Sequence, residues 1–149
     1  MLTRWMANSP TIRGSDAEVL QAIAQGTCDV GLTNTYYLGN ALRDDPSFPV
    51  APVWVEQAGS GTHVNVSGVA LTKYARHRPE AVKLMEYLLT PEAQGLIAEG
   101  NSEYPVREGV AEAEWIAAWG RFRADRAPLV NAGRFQARAV RLMNAVGWK

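Results

Sequence analysis

A single cysteine, Cys28, and two histidines, His63 and His77, stand among 149 residues. One cysteine excludes an internal disulfide framework and any multi-cysteine metal site. Neither sign of charge is in excess: fifteen Lys and Arg balance fifteen Asp and Glu. Domains that hold nucleic acid by bulk electrostatics carry a basic excess, so that class of partner is disfavoured. No apolar run approaches the ~18 residues of a membrane-crossing helix. The opening stretch, Met1 to Pro10, has one basic residue and no apolar core of signal-peptide type, so no export signal is read in this chain. Internal repeats, low-complexity tracts and an interdomain linker are also missing.

What is present is an ordinary globular composition, 47% hydrophobic and 20% charged. It suits one compact domain or a piece of a larger one. Met1 to Pro10 reads as the last turn of a helix running into a loop. Ser15 to Gln25 predicts a helix, with Ser15 as N-cap, Asp16 and Glu18 at the positive end and Gly26 as terminator. Cys28 to Thr33 predicts a short buried strand. Asn34 or Thr35 then caps a helix from about Tyr36 to Arg43, broken by Asp44-Asp45-Pro46-Ser47. Val50 to Gln57 and His63 to Leu71 predict two further strands around the loop Gly59 to Thr62. Pro79 opens a helix whose apolar face runs from Ala81 to Leu89. Thr90-Pro91 restarts another, to about Glu99 and Gly100. Glu112 to Phe122 and Gly133 to Ala145 complete the helices. The order helix, glycine turn, strand, helix is the grammar of an α/β fold. Three strands are too few for a covered parallel sheet.

Tyr36 and Tyr37 are the most suggestive pair. They open a helix directly after a strand, where ligands gather in α/β sheets. Phenolate oxygen is a hard anionic donor suited to a hard, highly charged cation such as Fe3+. The alternative is one tyrosine in the core and one on the surface. His77, between Arg76 and Arg78, reads as solvated, and His63 as a structural histidine at a strand entrance. Their spacing gives no helical zinc pair. Ser60 lacks a nucleophile-elbow frame, and Cys28 beside Asp29 reads as an inert thiol. Asp44-Asp45 and Glu112 with Glu114 read as turn and surface residues. With no nucleophile–base pair, an enzyme is not expected. Arg134, Arg138 and Arg141 share one face of the last helix, read as a solvated face. Trp115, Trp119 and Trp148 are expected in a core or against a further part of the protein.

Four segments, in order, carry a resemblance: Asn34-Thr35-Tyr36-Tyr37-Leu38, Gly61-Thr62-His63-Val64-Asn65-Val66-Ser67-Gly68, Glu103-Tyr104-Pro105-Val106, and Val140-Arg141-Leu142-Met143-Asn144 running to Gly147-Trp148-Lys149. Over nearly its whole length the chain resembles the periplasmic ferric-iron-binding proteins of ABC importers. The resemblance implies an α/β fold, part of a two-lobed periplasmic-binding-protein (type II, Venus flytrap) architecture lacking most of the N-terminal lobe. It implies that Tyr36 and Tyr37 are metal ligands for Fe3+, a bound ligand and not a catalytic cofactor. A further tyrosine, commonly a histidine, and an anion or water complete the set in that family, and no residue here matches the remaining protein ligands. His63 lies in a hinge-strand motif and does not replace the histidine. By resemblance, residues 1–55 fall in the C-terminal lobe, 56–71 cross the hinge, 72–110 contribute to the N-terminal lobe and 111–149 return. Periplasmic localisation, an ABC permease as partner and a half-length receptor are implied in the same way.

The expected function is ferric-iron binding as part of an importer's solute-binding protein. Two rivals stand beside it. One is a flytrap receptor for another small ion. The other is a half-receptor without tight iron binding, which self-associates, swaps domains or serves as an interaction module through apolar surface at 81–89.

Overall fold

A computed structural model describes residues 1–148. Among them the helices are α1 (Leu2–Met6), α2 (Asp16–Ala24), α3 (Thr35–Asp44), α4 (Arg78–Leu88), α5 (Pro91–Asn101), α6 (Glu114–Ala117) and α7 (Val130–Ala145). None is long and apolar enough to cross a membrane.

Local rules build α2 and α5 as the sequence predicts. The Ser15 hydroxyl accepts from the Glu18 amide, and Thr90 accepts from Ala93, each satisfying an N–H the first turn leaves open. Such a cap is worth about 1 kcal/mol. At the far end of α2, Gly26 takes φ +70°, while its N–H bonds Ile23 and the Thr27 N–H bonds Ala22. That is a Schellman closure, and it favours glycine because an L side chain resists the left-handed conformation. Pro91 fits the first turn of α5, where its missing N–H costs nothing.

Helix α3 is the hub. It touches α2, α5 and α6, while α4 packs on α5. The buried apolar residues sit around it: Leu38 on α3, Leu20 and Ala22 on α2, Ala93 and Ala98 on α5, and Ala113 and Ile116 at α6. Most are alanines, so helices approach closely over a thin core. Gln94, a buried amide, donates to the Leu88 carbonyl and accepts from the Val106 amide, pinning the α4–α5 turn to the following loop.

Three sequence expectations are corrected. Cys28–Thr33, Val50–Gln57 and His63–Leu71 do not form paired strands. Among the described residues the sole β-bridge is an isolated parallel one, Thr62 with Ala124. A strand requires a neighbour to receive its N–H and C=O groups. Without one, Cys28 is half-buried, while Val30 and Leu32 stand 82% and 76% exposed. Helix 112–122 shrinks to α6: Gly120 turns out of helical space at φ +74°, and the chain beyond it is drawn into other bonds. The tail helix begins earlier than expected, at Val130, and buries none of its residues.

Those other bonds form a clasp between distant segments. Thr62 N–H donates to the Arg123 carbonyl and Asp125 N–H to the Thr62 carbonyl, each at 2.8 Å. The Gln57 side chain completes it, donating to the Arg123 carbonyl at 3.0 Å and accepting the Arg123 N–H at 2.7 Å. Gly61, at φ +102°, makes the crossing possible, since a Cβ there would lie 2.7 Å from the Ala124 carbonyl. Beside the clasp, Trp54 stacks on Phe122 at 4.3 Å, and the Tyr104 ring meets Phe122 edge-on at 5.6 Å.

Candidate functional site

Tyr36 and Tyr37 are the second and third residues of α3. Adjacent helical residues project about 100° apart and do not face each other. Here the rings nevertheless lie 4.4 Å apart, centroid to centroid, at 33°. Both side chains are half-buried, so they pair at a wall open to solvent.

The entry to α3 is held from α2. Asn34, the N-cap, makes no side-chain cap; instead its N–H donates to Asp16 Oδ1 at 2.8 Å. The Thr33 hydroxyl donates to the same oxygen at 2.6 Å. Gly31 lies against α2, for a Cβ there would collide with Val19 and come within 2.9 Å of Ile23 Cδ1.

The other side of α3 is equally fixed. Ser102 is fully buried in the left-handed region at φ +56°. Its hydroxyl donates to Asn40 Oδ1 and accepts from the Trp115 indole, each at 2.9 Å. Asn40 stands one turn beyond Tyr36. Arg43 at the end of α3 donates to the Gly100 carbonyl at 3.0 Å.

The ionisation of Tyr36 is shaped by its neighbours. Hydrogen bonding with Tyr37 is the largest influence pushing the Tyr36 phenol above its ordinary value; burial, the charge of Tyr37 and the Asp16 and Glu103 carboxylates add to it. Glu103 is held nearby by the Ser67 hydroxyl at 3.1 Å. The two carboxylates are the smallest of these influences, and each places negative charge near the phenols. A bound cation of high charge reverses the balance by displacing the proton.

The remaining candidates are dispersed. His77 stands at the N-cap position of α4 without a side-chain cap bond and is exposed, as expected of a solvated residue; His63, expected as a structural histidine at a strand entrance, is instead exposed and begins no strand. Among the described residues no group of three or more His, Cys, Asp and Glu side chains converges. Asp45 accepts from the Ser47 amide and hydroxyl, which lowers its carboxyl, and is a turn residue as expected; Asp44, expected in the turn, is instead the last residue of α3 and pairs with Arg43 at 3.0 Å. Arg134, Arg138 and Arg141 are exposed along α7. Trp148 meets Trp5 at 6.1 Å, and Trp115 serves the Ser102 network. An open groove of about 530 Å³ along α2, lined by residues including Arg13, Glu18 and Gln25, does not include the tyrosines. Sequence reasoning missed Asp16 as a site residue, because acidic first-turn residues are common and its partners lie 17 and 18 positions away.

The sequence of residues 1–124 matches the family model for bacterial extracellular solute-binding proteins. The chain belongs to that family. Iron uptake protein A1 of Synechocystis is 40% identical over 143 residues, covering 92% of this chain and 40% of that protein. A Trichodesmium FutA solved with iron and citrate superposes with a TM-score of 0.87 at 39% identity, covering 94% of this chain and 46% of that one. Apo ferric ion-binding protein A of Pasteurella haemolytica gives 0.84 at 36%, covering 93% and 45%. The chain therefore spans under half the length of these relatives, and it forms part of the two-lobed fold of this solute-binding family. Matched relatives are binding proteins.

Proposed function

We propose that this chain binds ferric iron through the Tyr36 and Tyr37 phenolates, as part of the solute-binding protein of an ABC iron importer outside the cytoplasmic membrane. The observation that carries the reading is the pairing of two phenols at 4.4 Å on the first turn of α3, within the field of Asp16 and Glu103. The names of the relatives, iron uptake and ferric ion-binding proteins, support it. The role is capture and delivery, not catalysis, and a permease is the partner. Iron is the cargo. Two phenolates leave most of its coordination sphere for an anion such as citrate, water or a second protein segment. In this reading residues 1–55 and 111–149 belong to one lobe, 72–110 to the other, and 56–71 cross between them. The Gln57–Arg123 clasp is consistent with a crossing segment anchored at its base.

The test is a titration with ferric citrate at neutral pH. A visible phenolate-to-iron charge-transfer band is expected, and it is lost in the Tyr36→Phe, Tyr37→Phe double variant. Colour that survives the double substitution sinks the assignment. A parallel panel of other metals and oxyanions separates iron from another small ion; the carboxylates beside the pair argue for a cation.

A second reading, self-association, is favoured by Leu84 and Leu89, 56% and 54% exposed on and just after α4, and by the unpaired segments. Light scattering beside the iron titration distinguishes them. A stable monomer with tight iron binding contradicts self-association.

A further inference from the structure

We infer that Asp16 is the positioning residue of the tyrosine pair: one carboxylate oxygen on α2 fixes the start of α3 and thereby the placement of both phenols. This rests on the reading of Tyr36 and Tyr37 as the iron-binding wall.

The geometry is specific. Asp16 Oδ1 takes two donors at once, the Thr33 hydroxyl at 2.6 Å and the Asn34 amide at 2.8 Å. Asn34 is the N-cap of α3, and its own carbonyl receives the Tyr37 amide at 3.3 Å. Its side chain makes no cap bond, so the backbone bond to Asp16 is the anchor of that end. A helix N-terminus otherwise frays, because its first N–H groups lack intrahelical partners. Fraying here would swing the two residues that follow Thr35. Bonds donated to a charged acceptor are shorter and stronger than neutral ones, which suits an oxygen accepting from two donors. Residues that orient ligands in this way commonly set metal affinity without touching the metal.

Asp16 also lies in the field of Tyr36, so charge and geometry must be separated. Asp16→Asn keeps an acceptor oxygen and removes the charge; Asp16→Ala removes both. Thr33→Val removes one of the two donors. Each variant is compared with the parent for ferric citrate binding by citrate competition, and for the position of the charge-transfer band. An iron-free readout accompanies them: the ring resonances of Tyr36 and Tyr37 in carbon-13-tyrosine NMR spectra, assigned with the single Phe variants.

Asp16→Ala is expected to weaken iron binding about ten- to hundredfold, to move the band, and to shift both tyrosine resonances. Thr33→Val gives the same changes at smaller amplitude, and Asp16→Asn restores most of the affinity and the parent resonances. Unchanged resonances and affinity in Asp16→Ala overturn the inference. So does an Asp16→Asn variant as impaired as Asp16→Ala, which assigns the effect to charge. If colour persists in the double Phe variant, the iron reading fails by itself, and the iron-free resonances still decide whether Asp16 places the pair.

Discussion

Ser102 lies against the backbone of Gly39, so close that a Cβ on Gly39 would overlap the serine Cβ and approach Ile116 Cδ1 to 2.8 Å. A buried residue at positive φ thus meets a helical position with no side chain, and α3 gains its contact with α5 and α6 through that absence. Gly39→Ala is expected to destabilise the fold by about 1–3 kcal/mol, despite alanine's better helix propensity. Urea unfolding followed by tryptophan fluorescence measures it. An alanine variant as stable as the parent would show that this packing relaxes freely.

The Gln57 side chain joins two segments 66 positions apart by accepting and donating on the same residue, Arg123. Gln57→Ala leaves the Arg123 N–H without that partner and is expected to cost about 1–3 kcal/mol. Hydrogen exchange supplies the local readout. The Arg123, Asp125 and Thr62 amides should lose protection together, while amides in α2 keep theirs. Uniform loss across the chain would instead mark a global effect.

Tyr104 has a hydroxyl buried without a hydrogen-bond partner among the described residues, and burial, with a smaller contribution from Glu112, pushes the phenol from 10.0 up to about 12. Ionisation therefore comes more easily in the unfolded chain. The stability due to this group is complete below pH 10, where both states are protonated, and is lost as pH rises from there towards 12. Tyr104→Phe is expected to flatten that alkaline decline, and to match or exceed the parent's stability at neutral pH by up to about 1 kcal/mol. Thermal unfolding from pH 8 to 11 checks both outcomes. A Phe variant with the parent's alkaline slope would place the decline elsewhere.

Short-range rules made much of the helical framework legible. Ser15 and Thr90 bond to amides three positions on, and Gly26 closes α2 within its own turn, so neighbouring residues suffice to place them. The tyrosine pair was legible from residue type and from its place at a helix start. Longer-range features were not. Valines at 53, 55, 66 and 69 have the composition of strands, yet a ladder depends on a partner that no local pattern specifies. Beyond Gly120, where the chain leaves helical space, Arg123 is bonded to Gln57 and Thr62, residues remote in sequence. Asp16 reads locally as a helix-start residue, and only the fold brings it to Thr33 and Asn34.

Helix α3 is tied at its entry by Asp16, along its length by Asn40 and Ser102, and at its exit by Arg43. The backbone beneath the two rings is therefore ordered as the chain folds, its conformational entropy already given up. On the proposed iron reading, capture at this wall is a matter of encounter and proton departure, with little rearrangement of the helix that bears it.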